Sequence, residues 1–372
     1  MLKDMFRKMK IGILGTRGIP NNYGGFEQFA EFLSELLVKR GHIVYVYNSH
    51  QHPFKEDKWK GVNIIHCKDP EKKIGTVGQF IYDLNCILDS RNRDFDIILQ
   101  LGYGSSSVWN KFLPKRSVII TNMDGLEWKR SKFSLFVQKF LLFAEKLAVN
   151  SSDYMIADSL GIQNYLEQKY SINARYIPYG ADLINNFNED LLSDFSINKY
   201  QYYLVIARME PENNIQNILQ GFLDSNDKRK MIVIGSTETN YGRYIKKKYQ
   251  NKHIAFLGYI SDQEKLNVLR RFSYIYFHGH SVGGTNPSLL EAMAAGSLIS
   301  SHKNEFNQSV LGSDALYFTS SSDLINIIDR NYDDQREEYV SNNLKKIQSK
   351  YSWHNIVSQY ESLMNDALKE IK

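Results

Sequence analysis

Hydrophobic residues in the first half of the chain come in short runs of strand length: KIGILGT, IVYVYNS, VNIIHC, FDIILQLG, SVIITNMDG, YMIADS and ARYIPYG. Between them lie longer stretches whose apolar positions recur every three or four residues. In 26-FEQFAEFLSELLVKRG-41, Phe26, Phe29, Ala30, Leu33, Leu36 and Leu37 share one helical face, and Gly41 supplies the stop. Strands separated by helix-length segments predict a parallel, doubly wound sheet.

The segment 180-GADLINNFNEDLLSDFSINK-199 has no sustained apolar period and reads as a linker. The strand series then restarts with YYLVIAR, MIVIGS, HIAFLGYI, YIYFHGH, SLISS and ALYFTS. The expected fold is therefore α/β, with two Rossmann-like domains, 1–182 and 183–351. They would face each other across a crevice at the carboxyl ends of their strands, where such sheets bind ligands. The tail, 352–372, reads as a terminal amphipathic helix.

A length of 372 residues agrees with two domains. No apolar run reaches transmembrane length, and the N-terminal MLKDMFRKMK leads into a strand without the apolar core of a secretory leader. Cys67 and Cys86 are too few for a disulfide framework or a cysteine zinc site, so a cytoplasmic setting is expected. Charge is uneven: residues 1–180 carry 25 Lys and Arg against 18 Asp and Glu, while the remainder carries 21 against 23. A basic first half suits an acidic partner such as phosphate lipid or an anionic membrane, or simply a solvated lysine-rich surface. No nucleic-acid recognition motif supports that third kind of polyanion.

Candidate chemistry concentrates where strands run into helices. Arg208 ends one strand and precedes Glu210, Pro211 and Glu212; its guanidinium is expected to grip phosphate oxygens, or else to pair with those glutamates. In 279-GHSVGGTNPSLLEAMAAG-296, Gly283 and Gly284 let backbone approach a ligand, and Thr285, Asn286, Pro287 and Ser288 begin a helix whose amides are expected to be free. Glu291 is expected within about the first turn, accepting ribose hydroxyls or compensating the helix dipole. His278 and His280 suit hydrogen bonding at a pocket rim or packing, and offer too few ligands for zinc.

In the first half, 15-GTRGIPNNYGGFE-27 matches neither the dinucleotide fingerprint nor the phosphate loop. Gly24 and Gly25 nevertheless stand at a helix start, with Arg17 and Tyr23 as loop candidates for the acceptor. Asp124 follows an apolar strand and is expected either to orient an acceptor hydroxyl or to form a turn or cap. The stretch 127-EWKRSKFSLFVQKFLLFAEKLA-148, with Trp128 and four Phe among lysines, suits an anionic membrane surface or ordinary core packing.

These residues resemble the retaining nucleotide-sugar glycosyltransferases of family 4, which have the GT-B fold. The motifs are GGFE, ADS (157–159), IPYGAD (177–182), ARMEPENNI (207–215) and PSLLEAMAAG (287–296). LGTRGIPNNYGGFE, NMDGLEW and HGHSVGGTNPSLLEAMA are similar to the rhamnosyltransferase-like branch that builds bacterial capsule, O-antigen or rhamnan. The resemblance implies that Arg208 neutralises a leaving diphosphate, Glu291 holds the ribose and the 285–288 backbone contacts phosphates. It further implies that Gly24 and Gly25 line the site from an acceptor-binding first domain, that Asp124 stands near acceptor and donor sugar, and that the last helix crosses back onto that domain. Two positions depart from the family pattern: Gly283 replaces the first Glu of E-x7-E, and Asn213 replaces a Lys.

The expected activity is transfer of a hexosyl unit, L-rhamnose from dTDP-rhamnose, to a lipid-diphosphate-linked sugar at the inner face of the plasma membrane. No cofactor or metal is required, because Arg208 and backbone amides supply the positive field. UDP-glucose, UDP-N-acetylhexosamine or GDP-mannose are alternative donors, and a non-catalytic nucleotide-sugar or polyanion-binding protein is the alternative of another class.

Overall fold

The computed structural model describes residues 7–22, 24–123, 125–129 and 133–370. The chain divides into two compact units, Met1–Tyr179 with Trp353–Lys372, and Gly180–Ser352.

The first unit holds strands β1 (Lys10–Leu14), β2 (Ile43–Ser49), β3 (Lys58–Trp59), β4 (Val62–Cys67), β5 (Ile97–Leu101), β6 (Val118–Met123), β7 (Tyr154–Ala157) and β8 (Arg175–Tyr176). Their order across the sheet is β3-β4-β2-β1-β5-β6-β7-β8. All neighbours pair parallel except β3 and β4. The central strands are buried on both faces, as a sheet covered by helices demands: every residue of β5 and β6 is buried. Helices α1 (Gly25–Lys39), α2 (Glu71–Ile74), α3 (Val77–Ser90), α4 (Leu135–Ser151) and α5 (Leu160–Tyr170) make the crossovers. In α1 the predicted face is the one buried, through Phe29, Ala30, Leu33 and Leu37.

The second unit repeats the plan with β9 (Tyr202–Ile206), β10 (Lys230–Ile234), β11 (Ile254–Gly258), β12 (Tyr276–His278), β13 (Ile299–His302) and β14 (Leu316–Phe318). These are parallel throughout, in the order β11-β10-β9-β12-β13-β14. Helices α6 (Ile215–Asp224), α7 (Asn240–Lys248), α8 (Gln263–Phe272), α9 (Pro287–Ala294), α10 (Glu305–Leu311), α11 (Ser321–Ile328) and α12 (Asp333–Lys346) accompany them. The core on one face gathers Tyr203, Val205, Ile218, Phe222, Val233 and Phe277.

The segment read as a linker is built into this second unit. Residues Glu189–Phe195 form a 3-10 helix that packs on α8, with Leu192 and Ile197 buried and the Ile184 amide donating to Ala294 O at 3.3 Å. Two widely spaced apolar anchors sufficed where a periodic face was sought.

The closing helix α13 (Trp353–Glu370) belongs to the first unit. Trp353 stacks on Phe32 with centroids 4.8 Å apart, and Phe29 packs against both Trp353 and Tyr360. Glu361 draws Arg40 to 2.7 Å and His42 to 2.8 Å. Among the described residues no helix is long and apolar enough to cross a membrane.

Candidate functional site

In a doubly wound sheet the chain leaves neighbouring strands in opposite directions at one point, opening a crevice at their carboxyl ends. In the second unit that point lies between β9 and β12. Arg208 follows β9, and the 279–286 loop follows β12, so the two predicted halves of an anion site meet there.

They are also tied together. The Ser281 amide and hydroxyl both donate to Glu212 O, at 3.0 and 2.8 Å. Asn214, in the left-handed region at φ 50°, donates from Nδ2 to Gly279 O at 2.8 Å. Gly279 is required by this closeness, since a Cβ there would stand 2.0 Å from Asn213 O.

Arg208 projects outward with its side chain 67% exposed, and Glu210 approaches only to 3.9 Å. An exposed contact of that length holds the guanidinium weakly, so its charge stays available. Asn213 is buried and donates from Nδ2 to Arg208 O at 2.7 Å. Asn213, which departs from the family pattern noted above, is therefore a brace for the Arg208 turn. Glu212 has both carboxylate oxygens buried without a hydrogen-bond partner among the described residues, a feature with no signal in the sequence.

At α9 the expectation of free amides needs correction. Asn286 caps the helix, its Oδ1 accepting from the Ser288 amide at 3.0 Å, and the Leu289 amide donates to Asn286 O at 3.1 Å. Pro287 has no amide hydrogen, so any backbone donor for an anion would have to come from the loop ahead of the helix. Glu291 lies beyond the first turn, which removes the dipole reading. It accepts instead from Arg270 Nη2 at 2.5 Å. Arg270, in the last turn of α8 and 2% exposed, is the residue that sequence reasoning missed. The available signal was its spacing: Arg270 falls four residues after Leu266, on the apolar face of the helix, where a charge needs a partner.

His278 and His280 stack with ring centroids 4.4 Å apart. Burial, with smaller contributions from His280 and His302, holds His278 far below the usual imidazole range, so it is neutral. Both its ring nitrogens lack hydrogen-bond partners among the described residues, which makes it a packing residue. The carbonyl of His280 accepts from Asn304 and Asn307 at 3.0 and 2.9 Å, fixing the start of the 279–286 loop.

In the first unit Gly24 stands at the N-cap of α1 and Gly25 at its first position, with no side chain capping the helix. The loop before them is folded on Glu27, whose Oε1 accepts from the Arg17 amide at 2.8 Å and the Thr16 hydroxyl at 3.3 Å. Arg17 is not a spare cation: Nη2 is 2.6 Å from Glu71, Nη1 is 3.6 Å from Asp69, and the guanidinium lies over Tyr82. Two local carboxylates already meet its charge. Close by, the buried Asp83 accepts from Ser105 Oγ at 2.5 Å, and burial pushes its carboxyl up to about 6. Trp128 packs on Tyr165, with the ammonium groups of Lys129 and Lys169 5.5 and 5.6 Å from its ring centroid. Tyr23 and Asp124 lie outside the described residues.

Residues 189–346 match the family model of glycosyl transferases group 1, and residues 8–182 match a domain of unknown function, DUF1972. An uncharacterized glycosyltransferase, MJ1069 of Methanocaldococcus jannaschii, is 25% identical over 96% of this chain and 98% of its own. Among solved structures, a sucrose-phosphate synthase from Thermosynechococcus elongatus superposes with a TM-score of 0.82 at 17% identity, covering 98% of this chain and 100% of that one. Anabaena HepE in complex with UDP and glucose gives 0.77 at 17% identity, covering 96% and 100%. The chain thus has the GT-B fold and carries a group 1 glycosyltransferase domain in its second unit. The class so defined is a glycosyltransferase.

Proposed function

We propose that this glycosyltransferase is a retaining, family 4 enzyme that moves L-rhamnose from dTDP-rhamnose to a lipid-diphosphate-linked sugar in bacterial surface polysaccharide synthesis. The observation that carries the reading is the bracing of the Arg208 turn against the 279–286 loop, beside a Glu291 held by buried Arg270. Arg208 and backbone amides meet the diphosphate, and Glu291 accepts from the ribose. As the C1–O bond to the diphosphate breaks, the acceptor oxygen forms its bond to C1 on the same face, and its proton passes to the departing phosphate oxygen. Charge builds on the diphosphate in the transition state, where a fixed guanidinium does most. This positive field removes the need for a metal ion. The first unit takes the acceptor, with Asp124 orienting its hydroxyl and Gly24 and Gly25 lining the site.

A UDP-sugar donor is the second reading, favoured by the UDP and glucose bound in HepE. Thermal-shift titration with dTDP, UDP and GDP, followed by a release assay over their sugars, tests both. Stabilisation by dTDP and release from dTDP-rhamnose are expected; a response confined to UDP and its sugars selects the second reading, and no response to any nucleotide removes both.

A further inference from the structure

Helix α4 carries an apolar surface that the first unit leaves uncovered. Leu141, Ala144, Ala148 and Val149 face inward, and Phe140 packs on Phe80 of α3 with centroids 5.7 Å apart. The opposite side exposes Leu135 at 77%, Phe136 at 82% and Phe143 at 56%. At 100° per residue these three fall with Lys139 and Lys146 within an arc of about 100°. Both lysines are exposed and neither forms an ion pair among the described residues. The only carboxylate of α4, Glu145, is buried under Tyr165, Lys169 and Tyr170. Adjoining elements continue the pattern: Val77, one turn from Phe80, is 64% exposed near Ile74, Lys72 and Lys73, and Phe112 is exposed beside Lys111.

We infer that this face is a membrane-docking surface for an anionic lipid bilayer. Large exposed aromatic and aliphatic side chains interleaved with lysines match an interfacial helix: the rings enter the headgroup boundary while the ammonium groups remain among the phosphates. The single sign of charge selects the occupant. In a symmetric dimer the same patch would face itself, setting lysine against lysine with no exposed carboxylate from α4 between them. An anionic bilayer meets both the rings and the charges. The surface takes its purpose from the lipid-linked acceptor reading, yet its test is separate because it does not touch the nucleotide.

The experiment is co-sedimentation of the full chain with vesicles of phosphatidylcholine alone or mixed with phosphatidylglycerol. The wild-type protein is expected to sediment with the mixed vesicles and to be released as salt rises. Phe136→Ser with Phe143→Ser should weaken vesicle binding roughly tenfold or more, as should Lys139→Glu with Lys146→Glu. Both double variants should keep the wild-type thermal shift with nucleoside diphosphate, showing that they fold. Equal sedimentation with neutral and mixed vesicles, or no sedimentation with either, overturns the proposal. So does a wild-type dimer in analytical ultracentrifugation that becomes monomeric in the Phe136→Ser, Phe143→Ser variant, since a second copy would then occupy the face.

Discussion

Arg270 Nη2 lies 2.5 Å from Glu291 Oε2, a bond from a wholly buried cation to a carboxylate that still reaches solvent. The two partners are therefore unequal. Removing Arg270 leaves a charge that water can partly solvate; removing Glu291 leaves a charge in the interior.

The asymmetry gives a stability prediction. Glu291→Ala should destabilise the protein by about 3–5 kcal/mol, and Arg270→Met by less, as read from denaturant unfolding. Arg270→Met should also raise KM for the nucleotide sugar more than it lowers kcat, because Glu291 remains but is no longer aimed. Equal destabilisation by the two would show that the pair is not arranged as described.

Arg208 should behave in the opposite way. With its side chain mostly in solvent, Arg208→Ala should leave the unfolding midpoint within about 0.5 kcal/mol of wild type. Turnover should fall by roughly a hundredfold or more, the cost of losing a fixed transition-state donor. Undiminished kcat would falsify its assigned role.

Gly279→Ala tests the bracing of the two loops. The added methyl group meets backbone oxygen of Asn213, which has no rotamer to yield, so the loops must part. A loss of about 1–3 kcal/mol in stability is expected, together with weaker nucleotide binding. Destabilisation without any change in binding would separate the contact from the site.

Asp83 sets a pH dependence. Its folded value is raised, to about 6 from 3.8, so its stabilising protonated form is full below the unfolded value and lost as pH climbs through 6. Above that the folded protein carries a buried charge. Asp83→Asn should thus stabilise by about 3 kcal/mol at pH 7.5 and by little at pH 4, measured as unfolding free energy. A benefit independent of pH would remove the carboxyl's burial as the cause.

The strand series was legible because each run is short, β-rich and bounded by turn residues, a property of local sequence. The antiparallel β3 was not. Its hairpin turns on Lys60 and Gly61 at φ 45° and 86°, and lysine lacks the side-chain chemistry that usually marks a left-handed turn position. Glu27 illustrates the same limit: it belongs to the GGFE motif, yet its partners are the Arg17 amide and the Thr16 hydroxyl of the preceding turn.

Sequence by itself determined the two α/β units, the helix faces, and the placement of Arg208 and the 279–286 loop at strand ends, since all of these follow from periodicity and chain direction. Only the tertiary structure decided which charges are spent. Arg17 is neutralised by Asp69 and Glu71, Glu291 is gripped by Arg270 from another helix, and Lys139 and Lys146 are left beside exposed rings. Ion pairing depends on separations of a few ångströms between residues apart in the chain, and the packing of helices and loops within each unit sets those separations.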